Sequence, residues 1–457
     1  MAKITWTIKG KLKVRTQFDE LKSKRFADDN GDIPLAGVKV RVSAKETKLD
    51  PTGFDKWGEV TTKADGSFQF TISKDKSKRY FKVEVLFDGK DTVIYPGTLV
   101  GLPGNSGVEA GINAHLFHAD WMLVWQDEEK KDNPVDFHSL TFSGISGEQL
   151  NGRDERRHAE LWALAGIMRS ELEKVGSGLG FQSQRIAIKY PHSDPLVNDR
   201  DEIAYADPIR RIVFLVRNGS MDNFEIQTVM HELMHVRNYA HSTGEENLAI
   251  QLLINGSTHD GRQDETFTVF HEAAAEIFKS ELYHQMFGKR AVIYRDPSFE
   301  AERRPFTRTW LKNNKGIKKL SDIDHFEYGW MSVFNLLLCN KVAELDMNGA
   351  GPYAREKAPT GTGPQLAIVR KSVNFSFADL LRAFDVIFNP VPDEFPKQID
   401  VTEMTLNKYF QRLGALVPAF DATMQSAYKK ILDPAETAQP SDLLPAVIPT
   451  ISIAGRR

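Results

Sequence analysis

Two rhythms of apolar and polar residues divide this chain. Near its start they alternate with a period of two: "VKVRV" sets Val38, Val40 and Val42 on one face and Lys39 and Arg41 on the other, and "SFQFTI" and "YFKVEVLF" continue in the same way. Successive side chains of a strand point to opposite faces, so this pattern predicts half-buried strands. The turn formers "DDNGD" (28–32) and "ADG" (64–66) separate them. Strands of this kind bury their apolar faces by packing as a sandwich, and residues 1–96 are expected to be all-β.

From residue 135 onward the rhythm lengthens. "RDERRHAELWALAGIMRSELEKVG" (153–176) brings Leu161, Leu164, Met168, Leu172 and Val175 to one side of a predicted helix. Strands are predicted at "RIAIKY" (185–190) and "RRIVFLVR" (210–217), followed by "NGSMD", whose turn and capping residues introduce a helix from about Asn223. Further helices are predicted over 264–287, 326–345, 376–388 and 402–430, with Pro/Gly-rich loops at 349–364 and 389–396. The stretch between the two rhythms, 97–134, reads as a linker: "PGTLVGLPGNSG" is loop-like and "DEEKKDNP" is a solvated charge run. The expected class is therefore α+β, with a sandwich over 1–96, the linker, a mixed region over 135–260, a helical region over 261–433 and a proline-rich tail over 434–457 that wraps the surface or stays loose.

Composition narrows this picture. A chain of 457 residues with 41% hydrophobic and 26% charged positions is an ordinary globular protein with room for two or three domains. A formal net charge of −3 supplies no basic field to gather nucleic acid or anionic lipid, so neither is expected as a partner. The single cysteine, Cys339, cannot form an internal disulfide. The opening "MAKITWTIKGKLKV" lacks the apolar core of a signal peptide, and no apolar run approaches the length of a membrane span. The chain is expected to be cytoplasmic as synthesised, with any export independent of a cleaved signal.

The chemistry concentrates in "QTVMHELMHVRNYAH" (227–241). His231 and His235 are four residues apart, so on a helix both imidazoles lie on one face, one turn apart. Both can then reach one ion at about 2.0–2.1 Å, the usual zinc–nitrogen distance. Glu232, one position round the helix, can reach a water on that ion. A bound Zn2+ is the expected cofactor, and a zinc site of this kind needs a third protein ligand. Two candidates compete. Glu272 in "FHEAAAEIF" is one; Glu276 lies a turn further on, placed to accept a hydrogen bond from a ligand histidine, and the intervening alanines allow close helix approach. His241 is the other, provided that Asn238 takes the left-handed turn that a glycine would favour there.

Two families resemble parts of this chain. "PLAGVKVRV" followed by "EVTTKADGSFQFTI" resembles the transthyretin-like, carboxypeptidase-regulatory type of β-sandwich, which implies an accessory domain able to dock a protein partner. An enzymatic relative hydrolyses a purine breakdown product, but no histidine precedes His115, and that activity is not expected. His231, Glu232 and His235 resemble the His-Glu-x-x-His motif of the zincin metallopeptidases. With Glu272 the pattern is similar to the gluzincins, which the helical residues after it favour; with His241 it is similar to the metzincins, although Met286 and Met331 both fall in predicted helices rather than in a methionine turn.

The resemblance implies hydrolysis of a peptide or protein substrate, with Glu232 as general base and "RIVFLVR" as the edge strand along which the substrate extends. It also implies an oxyanion donor, for which "DIDHFEYGW" offers Tyr328, with His325 as the alternative. His271 is expected to be packed or to support a ligand. Two other readings stay open: a non-catalytic interaction or scaffold protein, and a delivered effector protease. Substrate, and endo- against exo-cleavage, are open too.

Overall fold

Alternation in the first strands does place every second side chain inside. The computed structural model describes residues 3–47, 53–75, 80–98, 122–129, 133–143, 153–181, 185–193, 204–207, 212–216, 225–240, 262, 264, 266–288, 307–339, 342, 345, 369–388 and 404–447. The strands are β1 (Lys3–Arg15), β2 (Asp32–Pro34), β3 (Lys39–Lys45), β4 (Asp55–Thr61), β5 (Ser67–Asp75), β6 (Tyr80–Leu86), β7 (Thr92–Thr98), β8 (Met122–Glu129) and β9 (Val135–Phe142). Val38, Val40 and Val42 are fully buried, as are Val83 and Val85, while Lys82 and Glu84 on the outer face of β6 pair at 3.1 Å. One sheet runs β2-β1-β5, with β9 also against β1; the other runs β4-β3-β6-β8. They face each other through aromatic rings: Trp6 of β1 meets Phe81 of β6 at 5.2 Å and Trp57 of β4 at 6.2 Å.

Membership of the sandwich differs from the expected boundaries in three places. β8 falls in the segment read as a linker and carries part of its charge run, yet it pairs antiparallel with β6, Val83 opposite Trp125 and Tyr80 opposite Glu129. Backbone hydrogen bonding recruits a strand whatever its sequence of charges. β9 lies beyond the expected linker, but it pairs in parallel with β1 and buries Val135, Phe137, Leu140 and Phe142. Conversely β7, which begins within the first 96 residues and runs past them, joins a third sheet.

That third sheet comprises β7, β10 (Ile186–Ser193), β11 (Ala204–Asp207) and β12 (Ile212–Val216), in the order β11-β12-β10-β7. β12, the "RIVFLVR" strand expected at the edge, is internal. It pairs in parallel with β10 and antiparallel with β11, so among the described residues β11 takes the edge position.

Helix α1 (Arg153–Val175) has the predicted face: Leu161, Leu164, Met168 and Leu172 are fully buried, and Val175 is half-buried. Its polar residues Arg156, Arg157, His158 and Glu160 are buried as well. Glu160, with no exposure, accepts hydrogen bonds from the Gln17 backbone N–H and from Arg157 (2.8 Å), and Arg156 donates to Gln17 Oε1 at 2.7 Å. Trp162 donates to the Ala36 carbonyl at 2.8 Å. These bonds join α1 to the turns at the end of β1 and before β3.

The later helices are α2 (Ile226–Ala240), α3 (Thr266–Phe287), α4 (Arg308–Lys315), α5 (Glu327–Leu338), α6 (Phe377–Phe388), α7 (Leu406–Leu416), α8 (Ala422–Leu432) and α9 (Pro440–Leu443). Phe270 of α3 sits at the centre of a ring cluster with Trp330, Phe334, Phe384 and Tyr409. The single helix predicted over 402–430 is two, because Asp421 starts a new one by accepting from the Met424 N–H at 2.9 Å. The start of the tail is ordered: β13 (Val369–Arg370) pairs antiparallel with β14 (Ala446–Val447). Arg308, 1% exposed, donates to the carbonyls of Lys430, Ile431, Glu436 and Ala438, which satisfies acceptors left open at the end of α8.

The chain divides into two compact units, Met1–Glu171 with Phe181–Val236, and Leu172–Gly180 with Arg237–Arg457. The first holds the three sheets and the second is mainly helical, an α+β organisation. The divisions fall inside α1 and α2, not at 260. Among the described residues, no helix is long and apolar enough to cross a membrane.

Gly66 closes the turn between β4 and β5 at φ 77°, where a Cβ would run into the Leu12 carbonyl. Gly66→Ala is expected to cost on the order of 2 kcal/mol through left-handed strain and this clash. Equilibrium denaturation measures it.

Candidate metal centre

α2 buries most of its surface. Ile226, Val229, Met230, Leu233, Met234 and Val236 are each at most 2% exposed, which fixes the rotation of the helix and leaves its remaining positions to the polar residues. His231 is half-buried, while Glu232 at 9% and His235 at 8% are nearly enclosed. The two imidazoles meet edge to face, with ring centres 4.6 Å apart and planes at 83°. Their Nε2 atoms are 3.0 Å apart. Two nitrogens on a tetrahedral ion at 2.0–2.1 Å sit ~3.3 Å from each other, so this pair is within a few tenths of an ångström of bidentate spacing.

One ligand atom from each of His231, His235 and Glu272 lies within 4.8 Å of the others. Two neutral imidazoles and one carboxylate form a donor set suited to a divalent transition ion. The competing ligand, His241, lies outside the described residues. α2 nevertheless continues in helical form through Asn238, whose side chain is buried and accepts from Arg237 Nη1 at 3.2 Å. The left-handed turn that the His241 alternative needs at Asn238 does not form; among the described residues, His138 is the one non-glycine with positive φ.

The other predicted residues find different company. Glu276 accepts a hydrogen bond from Lys279 Nζ at 2.5 Å, with both side chains buried, so an ammonium meets its charge. His271, 1% exposed, packs between Phe267 and Phe384, in line with a packed residue. Tyr328, at the start of α5, lies against Trp310 with ring centres 5.5 Å apart and beneath the Lys315 ammonium at 3.8 Å. His325 ends the 3-10 turn Leu320–His325 that precedes α5.

One group was not anticipated from the sequence. Arg237, two residues beyond His235, is completely buried and pairs with Asp385 of α6. Burial lowers the pKa of the guanidinium, and the Asp385 charge opposes that shift. No local pattern links positions 148 residues apart.

Ion binding is expected to be measurable as stability. At a Zn2+ concentration about 100 times its Kd, the protein should gain ~2.7 kcal/mol against unfolding. Calorimetric melting with and without the ion tests this, and His231→Ala and Glu272→Ala should each remove most of the gain.

No family model and no curated protein matches the chain. Among solved structures, a 9R-lipoxygenase from Cyanothece PCC8801 shows a slight likeness, with 15% identity and a TM-score of 0.16 over 37% of this chain and 23% of that one. The chain thus spans less than a quarter of that protein, and a likeness of this size carries no conclusion about fold or function.

Proposed function

We propose that the chain is a zinc-dependent peptidase of the zincin kind, similar to the gluzincins in its ligand set. The observation that carries this reading is the group of His231, His235 and Glu272, with Glu232 beside the first of them on the same helix. When bound, the ion would supply Lewis acidity, polarising the scissile carbonyl and bringing the pKa of water down to about 7. His231, His235 and Glu272 would hold it. Glu232 takes the proton of the attacking water and returns it to the leaving amine. Its near-enclosure keeps bulk water from competing for that proton.

The substrate would be a peptide or protein. An extended segment pairing with the third sheet on the β12 side would meet β11, because β11 already covers β12. The oxyanion donor would be Tyr328, whose ring lies against Trp310 and Lys315, with His325 as the alternative. The N-terminal sandwich, similar to the transthyretin-like type and extended by β8 and β9, would act as an accessory module able to dock a protein partner.

Glu232→Gln separates chemistry from metal binding. It is expected to lower cleavage of a quenched fluorescent peptide library by about a hundred- to ten-thousand-fold, the range of a general base. Elemental analysis should show its zinc content unchanged. Wild-type turnover by this variant would overturn the reading, as would a wild-type protein that binds zinc and cleaves nothing in the library.

A further inference from the structure

We infer that the pair formed by buried Arg237 and half-buried Asp385 is a positioning device for the His235 imidazole, an inference that rests on the metal reading above. Arg237 follows His235 by two residues on α2 and has no exposed surface. Its Nε donates to the Leu179 carbonyl at 2.9 Å, and its Nη1 donates to Asn238 Oδ1 at 3.2 Å. The fork then closes on Asp385: Nη2 donates to Oδ2 at 2.9 Å, and Nη1 lies 2.9 Å from Oδ1. Each nitrogen of the guanidinium thus donates to one defined acceptor, Nη2 to the carboxylate, while Nη1 lies against the second carboxylate oxygen as an ion contact. The last turn of α2 is tied to α6 and to the end of the α1 connection at Leu179.

Stability alone does not account for this arrangement. A buried ion pair gains little net free energy, and apolar residues of similar volume often do as well or better. What a two-point guanidinium–carboxylate contact adds is orientation, because the planar fork accepts its partner in one geometry. Orientation matters on this helix. At the ~5–6 Å radius of helix side-chain ends, a rotation of about 20° carries an imidazole nitrogen roughly 2 Å, the length of a metal–ligand bond. The apolar contacts of α2 set this rotation to within the play of side-chain packing, and the contact with Asp385 narrows it where a ligand must be exact, from outside the ligand set.

The test is Co2+ titration of the full chain, followed by visible absorption, for the wild type and for Arg237→Met/Asp385→Leu. The double variant replaces both charges by apolar groups and is expected to unfold at a midpoint equal to or above that of the wild type. Its Co2+ affinity is expected to be weaker by about 10- to 100-fold, the usual cost of losing support behind a ligand, with altered absorption bands. Arg237→Lys keeps the charge without the fork and should also weaken binding, which secures the test if the double variant fails to fold. Wild-type affinity and bands in either folded variant would overturn the inference while leaving the metal reading intact. A wild-type protein that takes up no Co2+ would overturn both.

Discussion

Two imidazole nitrogens held 3.0 Å apart by one turn of α2 are the constraint on which the account depends. A ring as enclosed as that of His235 costs desolvation unless something satisfies it, and its nearest described partner is His231 Nε2. Here the apolar residues of the same helix fix its rotation, so the rings cannot turn outward without unpacking Val229, Leu233 and Val236. The pair is thereby kept at a spacing that suits a shared ion. The place of Glu232 beside the pair follows from the same rotation.

Buried charge organises both units, in different ways. In the first, Glu160 is neutralised by arginines of its own helix and receives the Gln17 backbone N–H, which seats α1 on the turn after β1. In the second, Arg308 meets only backbone carbonyls among its described hydrogen bonds, at the end of α8 and in the turn that follows. Arg237 is held by a carboxylate as well as by a carbonyl. Each case places a guanidinium where a fan of donors can answer several fixed acceptors at once.

Much of the local structure was legible in the sequence. The valines of "VKVRV" and the leucines of the 153–176 segment declare their faces by spacing alone, and those faces are buried. The His231–His235 relation was legible for the same reason, since four residues make one helical turn. Relations across long separations were not. β8 looked like a solvated linker because Asp127, Glu128 and Glu129 dominate its appearance, while its pairing with β6 is a backbone property. β12 was expected at the edge from the zincin resemblance, and nothing in "AYAD" announces the strand that covers it. Asp421 as a cap and Arg308 as a clamp depend on partners that only the fold supplies. In the candidate site, Glu272 was one of two ligands that spacing permitted, and the continuation of α2 through Asn238 removes the turn that the other required.

The most direct test of the central claim is X-ray absorption fine structure on the purified protein loaded with one equivalent of Zn2+. The account predicts two imidazole nitrogens at about 2.0–2.1 Å, completed by oxygen ligands. A shell of oxygens alone, without the multiple scattering of imidazole rings, would contradict it.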